Sequence, residues 1–155
     1  MRRTSFLYLF AIIVICCCSA VAAETLDQYI SAADIEKVAG LQDVKLSKSS
    51  QHGSAGTLQF KNKEGKTILE VKFNKSSLYD RSEKAKVVNV RGDVKGIGED
   101  AFYASNFSDS PNYLCFKKGK FSVDLAAFVK REDGKPFLTL EQLKELAKII
   151  ASRMR

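Results

Sequence analysis

Short apolar–polar alternations separated by glycine turns, and bracketed by two helical periods, most limit the folds open to this 155-residue chain. Leu58 and Phe60, then Leu69, Val71 and Phe73, then Leu114 and Phe116 each place apolar side chains on one face of an extended segment. Strands of this kind bury one side only, which suits an antiparallel sheet closed on that side by helices. Gly65 and Gly119 supply the turn conformations between neighbouring alternations, predicting hairpins at Thr57–Asn74 and Tyr113–Val129.

Both helices are marked by their caps. Ser31 followed by Asp34 is a capping-box-like pair ahead of Ile35 and Val38, and Gly40 stands where a left-handed C-cap ends a helix. Thr139 with Gln142 opens the second, in which Leu140, Leu143, Leu146, Ala147, Ile150 and Met154 recur at three- and four-residue steps. Lys144, Lys148, Arg153 and Arg155 load its outer face and negative end. Between the helices, strands are predicted near 42–48, 57–61, 67–74, 87–94, 101–105, 113–116 and 121–129. The polar stretch Ser49 to Gly56 is expected as a loop, and 75–86 as a loop that Leu78 and Tyr79 pin to the body. The expected fold class is α+β: an antiparallel meander sheet of about six strands with an N-terminal and a C-terminal helix packed on it.

Ahead of this domain, Arg2 and Arg3 precede the apolar run Phe6 to Ile15, then Cys16, Cys17 and Cys18, then Ser19-Ala20-Val21-Ala22-Ala23. A positive start, an apolar stretch of about ten residues and a small-residue end are the layout of a secretory signal. Residues 1–23 are therefore read as a signal peptide and 24–155 as a single domain, exported to the periplasm or secreted. Two alternatives stand beside cleavage. The uncharged run Phe6 to Ala23 is eighteen residues, just above the roughly 17 that a spanning helix needs. Alternatively, Cys16, Cys17 or Cys18 carries a lipid that anchors the domain to the membrane, although no small residue precedes Cys16.

Removing the leader leaves 23 basic residues against 18 acidic ones, a net charge of +5, and Cys115 as the one cysteine. No intramolecular disulfide can then form, so the fold rests on its apolar core. Lys61, Lys63, Lys66, Lys117, Lys118 and Lys120 cluster at the two predicted hairpin tips and are the candidate site for an anionic surface. Nucleic acid is not expected as a partner, because the chain is exported and its lysines lack the interleaved aromatics of a single-strand platform.

Catalytic patterns are thin. Gly96-Ile97-Gly98-Glu99-Asp100-Ala101 spells a dinucleotide fingerprint, but Phe102 to Phe107 reads as strand or loop where that fingerprint needs a helix. Arg91-Gly92-Asp93 spells an adhesion tripeptide inside a strand-like context. Cys115 alternates with Leu114 and Phe116, and His52 is the chain's one histidine, far away in sequence. Neither a thiol–imidazole pair nor metal-ligand spacing follows from these. Glu99-Asp100 and Glu132-Asp133 are adjacent carboxylates in turns, without the convergence that acid–base work needs. No catalytic residue, cofactor or metal is expected.

The string Ile30-Ser-Ala-Ala-Asp-Ile-Glu-Lys-Val-Ala-Gly-Leu41, taken with Val94-Lys-Gly-Ile-Gly-Glu-Asp-Ala-Phe-Tyr103, resembles uncharacterised bacterial exported proteins and lipoproteins. In those an "aaDvekv-Gl" helix begins the domain, a "v-GlGdeA" turn lies in its middle and a helix ends it. This chain departs from them in lacking a clean lipidation motif and the paired cysteines that some members carry. The resemblance implies an α+β cell-envelope domain and brings no activity. The expected function is a noncatalytic envelope binding module for a protein or an anionic envelope component, with peripheral membrane association included. The alternatives are a secreted enzyme inhibitor presenting 75–86 or 105–113, or a small enzyme using Cys115.

Overall fold

The computed structural model describes residues 25–53, 55–79, 88–105 and 110–154; the leader with Cys16, Cys17 and Cys18 lies outside the described residues, as does Arg155. Ser31 sits in extended backbone, accepts from the Asp34 amide and donates its own N–H to the Asp34 carboxylate at 2.8 Å. This box starts α1 (Ala32–Ala39), and Gly40 at φ +66° ends it as expected. Thr139 and Gln142 exchange the same pair of bonds at the start of α2 (Leu140–Arg153). The Gln142 side-chain amide also donates to the Ala39 carbonyl at 3.4 Å, tying the end of one helix to the start of the other.

Among the described residues, seven strands form one antiparallel sheet, against the expected count of about six: β1 (Lys45–His52), β2 (Ala55–Lys61), β3 (Thr67–Lys75), β4 (Asn89–Asp93), β5 (Asp100–Ser105), β6 (Tyr113–Lys118) and β7 (Phe121–Ala127). Their order is β1-β2-β3-β7-β6-β5-β4, so two meanders meet along the β3–β7 seam. The stretch 49–56, expected as a loop, is mostly strand: β1 runs to His52 and β2 begins at Ala55. The difference has a physical cause. β1 is an edge strand, exposed at every position except half-buried Ser50, and an edge exposed on both faces needs no apolar alternation. Leu78, expected to pin its loop, is 62% exposed. Tyr79, expected to do so with it, packs its ring 6.1 Å from that of Phe102, while residues 80–86 of that stretch lie outside the described residues.

The main core lies between the sheet and both helices, where Phe60, Val71, Phe73 and Phe116 meet Ile35, Leu143 and Ile150. Tyr29, Phe73 and Phe121 close one end with ring centroids 5.6 to 6.0 Å apart. The opposite face carries a smaller cluster, Val88, Phe102, Ala104, Tyr113 and Cys115. It also carries polar pairs: Lys72 on Glu70 at 2.8 Å, and Asn74 donating to Asp124 at 3.2 Å. The described residues thus close a core among themselves.

Arg153 locks the two helices. Its guanidinium donates to both oxygens of Asp34, at 2.7 and 2.8 Å, and to the Tyr29 carbonyl at 3.2 Å. These bonds, with help from Ser31 and against the effect of partial burial, hold the Asp34 carboxyl at about 2 instead of 3.8. Because this pKa is depressed on folding, its stabilisation is complete above the unfolded value and disappears as pH falls from about 4 through about 2. Arg153 is 39% exposed, so water screens the pair. Arg153→Ala is accordingly expected to cost about 1–2 kcal/mol at neutral pH and to flatten the loss of stability between about pH 4 and pH 2. Urea unfolding of both proteins across that range measures it, and parallel pH curves would contradict it.

Candidate functional site

The β3–β7 register decides where the candidate lysines go. Leu69 opposes Ala127 and Lys75 opposes Phe121, so the β2–β3 tip and the β6–β7 tip lie at opposite ends of the sheet. Seven residues of β7 separate them, about 23 Å. Lys61, Lys63 and Lys66 are at one end, Lys117, Lys118 and Lys120 at the other, and no single basic rim joins them. The second group is engaged within the fold. Lys118 donates to the Ala151 carbonyl at 2.6 Å, where its charge meets the negative end of α2. Lys117 lies 3.7 Å from Glu99, and the Lys120 ammonium sits 5.1 Å from the centre of the Phe121 ring.

At the first end a further short hairpin joins the tip. The Phe128 N–H donates to Ile68, Phe137 to Phe128 and Lys130 to Lys135, so 128–137 folds back on itself beside β3. Val129 and Pro136 bridge its stem, while the Lys135 N–H donates to Asp133 and Gly134 takes φ +68° in its turn. Lys66 bridges the two turns through Glu132 at 2.7 Å. That bond raises the Lys66 ammonium above its ordinary pKa and lowers the Glu132 carboxyl below its own.

The result is a concentration of charge around an apolar cleft. Residues 61–66 and 128–137 bring together Lys61, Lys63, Lys66, Lys130, Arg131 and Lys135 against Glu64, Glu132 and Asp133, a net charge of +3. Between the two turns lies a cleft of about 410 Å³ lined by Lys66, Thr67, Phe128, Val129, Arg131, Glu132 and Phe137. Phe128 is 41% exposed, and the Lys130 ammonium stands 5.8 Å from the centre of the Phe137 ring. Phe128, Lys130, Arg131 and Lys135 were not among the site residues expected from sequence. Their signal was the Lys-Arg-Glu-Asp-Gly-Lys turn at 130–135, read only as a pair of turn carboxylates.

The remaining candidates do not converge. Cys115 is fully buried, with the Ser122 hydroxyl 3.8 Å from its sulfur. His52 ends β1, four strands away in the sheet, about 19 Å at the usual strand spacing. Burial, with the nearby Asp124 carboxylate, pushes the neighbouring Tyr113 hydroxyl well above its ordinary pKa, the wrong direction for a base at neutral pH. Gly96 and Gly98 form a turn that feeds β5, not a helix. Arg91-Gly92-Asp93 lies within β4, and the Tyr103 ring covers Gly92. Among the described residues, no three His, Cys, Asp or Glu side chains are grouped to hold a metal, and no helix is long and apolar enough to cross a membrane. Comparison with known families, with curated proteins and with solved structures returned no match.

Proposed function

We propose that the chain is an exported, noncatalytic cell-envelope module that binds an anionic component through the end built from 61–66 and 128–137. The observation that carries this reading is the net charge of +3 around a half-exposed phenylalanine, at a place where two turns are held together by Lys66 and Glu132. Such a surface attracts anions over roughly a Debye length and offers an apolar contact at close range. The arginine-led leader supports export. The buried Cys115, with no imidazole near it, gives the enzyme alternative no support.

The domain from Glu24 onward should be retained on immobilised inorganic polyphosphate at low salt and released as ionic strength passes about 0.15 M. Lys63→Glu with Arg131→Glu should lose retention. Lys95→Glu with Lys120→Glu changes net charge by the same amount at the other end, where Lys95 opens the Gly96–Gly98 turn that packs on Lys117, and should keep most of it. Equal behaviour of the two double variants would sink the proposal.

A further inference from the structure

We infer that the anionic component is a lipid bilayer surface, on which Phe128 enters the headgroup–acyl boundary while Lys63, Lys130, Arg131 and Lys135 lie among the headgroups. This assignment rests on the reading just proposed and names its partner.

Three observations favour a bilayer over a folded acidic protein. The first is size: 61–66 and 128–137 are sixteen residues, fewer than the roughly 20–30 a standard protein interface uses on each side. A bilayer sets no such requirement, because a small wedge and a diffuse charge layer suffice for reversible attachment. The second is composition. Phe128 carries the exposed apolar area, Arg131 lines the same cleft, and Lys63 and Lys135 are exposed on the two turns that flank it. Long basic side chains can lay their stems on hydrocarbon and keep their charges at the phosphate level. A protein hot spot instead depletes lysine and seats aromatics in a desolvated pocket. The third is support. Phe128 lies on a stem fixed by backbone bonds to Ile68 at 3.0 Å and from Phe137 at 2.8 Å, so its ring is presented without ordering a loop on binding.

Neither signal suffices alone. A single aromatic side chain gives marginal partitioning, and a few lysines near an anionic leaflet are screened at physiological salt. Together they give binding that needs both acidic lipid and the ring.

The test is co-sedimentation of the domain from Glu24 onward with vesicles of phosphatidylcholine alone, or mixed with phosphatidylglycerol, beside the polyphosphate retention above. Wild type should bind the mixed vesicles and not the neutral ones. Phe128→Ala should lower partitioning about tenfold while leaving polyphosphate retention unchanged, because it removes apolar contact and no charge. Lys63→Glu with Arg131→Glu should lower both, the vesicle partition by about thirtyfold or more at low salt. Circular dichroism confirms that each variant is folded; should Phe128→Ala unfold, Phe128→Leu at the same site should give a smaller loss of vesicle binding. Retention on polyphosphate without vesicle binding would overturn the bilayer assignment and leave the anion-binding reading standing. Vesicle binding that Phe128→Ala leaves unchanged would also overturn it. Failure to bind either probe would remove both.

Discussion

Leu143→Ala should lower the unfolding free energy by about 2–5 kcal/mol. Leu143 is fully buried in the core cluster shared by the sheet and both helices. It follows the Thr139–Gln142 box directly, so its backbone is fixed by the cap that starts α2. The site cannot collapse around a smaller side chain without moving Gln142, whose amide also holds the Ala39 carbonyl. Most of the vacated volume should therefore remain as a cavity. In thermal unfolding this corresponds to a midpoint lower by roughly 8 °C or more for a domain of this size. An unchanged midpoint would mean that the helix only rests on the sheet.

Gly98→Ala should be comparably damaging, for a reason that has nothing to do with apolar burial. Gly98 has φ +61°, and a Cβ at this position would stand 2.3 Å from the Lys117 carbonyl oxygen. Left-handed backbone costs a residue with a side chain about 1–2 kcal/mol. The clash adds to this, because the carbonyl that must move also accepts the Glu99 N–H at 2.8 Å. A total of about 2–5 kcal/mol is expected. Gly96 is the internal control, since it has φ +79° but a Cβ there would meet nothing within 4 Å. Gly96→Ala should show the backbone strain alone. Denaturant midpoints of the two variants separate the terms, and identical midpoints would show that the Lys117 strand yields without cost.

Both helices were legible because their caps and their apolar spacing are local properties of the chain. Ser31, Asp34, Gly40, Thr139 and Gln142 make the contacts that their spacing predicts. The alternation around Cys115 was equally informative: Leu114 and Phe116 enter the main core while Cys115 enters the smaller cluster on the other face. β1 was only half legible, since the pattern that identifies a strand is burial on one side, and an edge strand has little burial to record. The candidate site was legible in part. Lysine-rich turns are visible in sequence, but which turns share an end depends on the pairing of β3 with β7, and nothing local to either strand specifies it. The hairpin at 128–137 was missed because its stem is a single bridge, Val129 with Pro136, too short to show any period.

The seam between β3 and β7 also orders the folding of the chain. The hairpins on either side of it close within a few residues, whereas Lys72 and its partner Asp124 are fifty-two positions apart. Loop-closure entropy is lost before any seam contact forms, so each meander can assemble early while their union waits on a long-range encounter. Until then Val71 and Phe73 on one side, and Val123 and Leu125 on the other, belong to two unpaired strand edges. The interval before the seam closes is when this chain is most open to pairing with a neighbour instead of with itself.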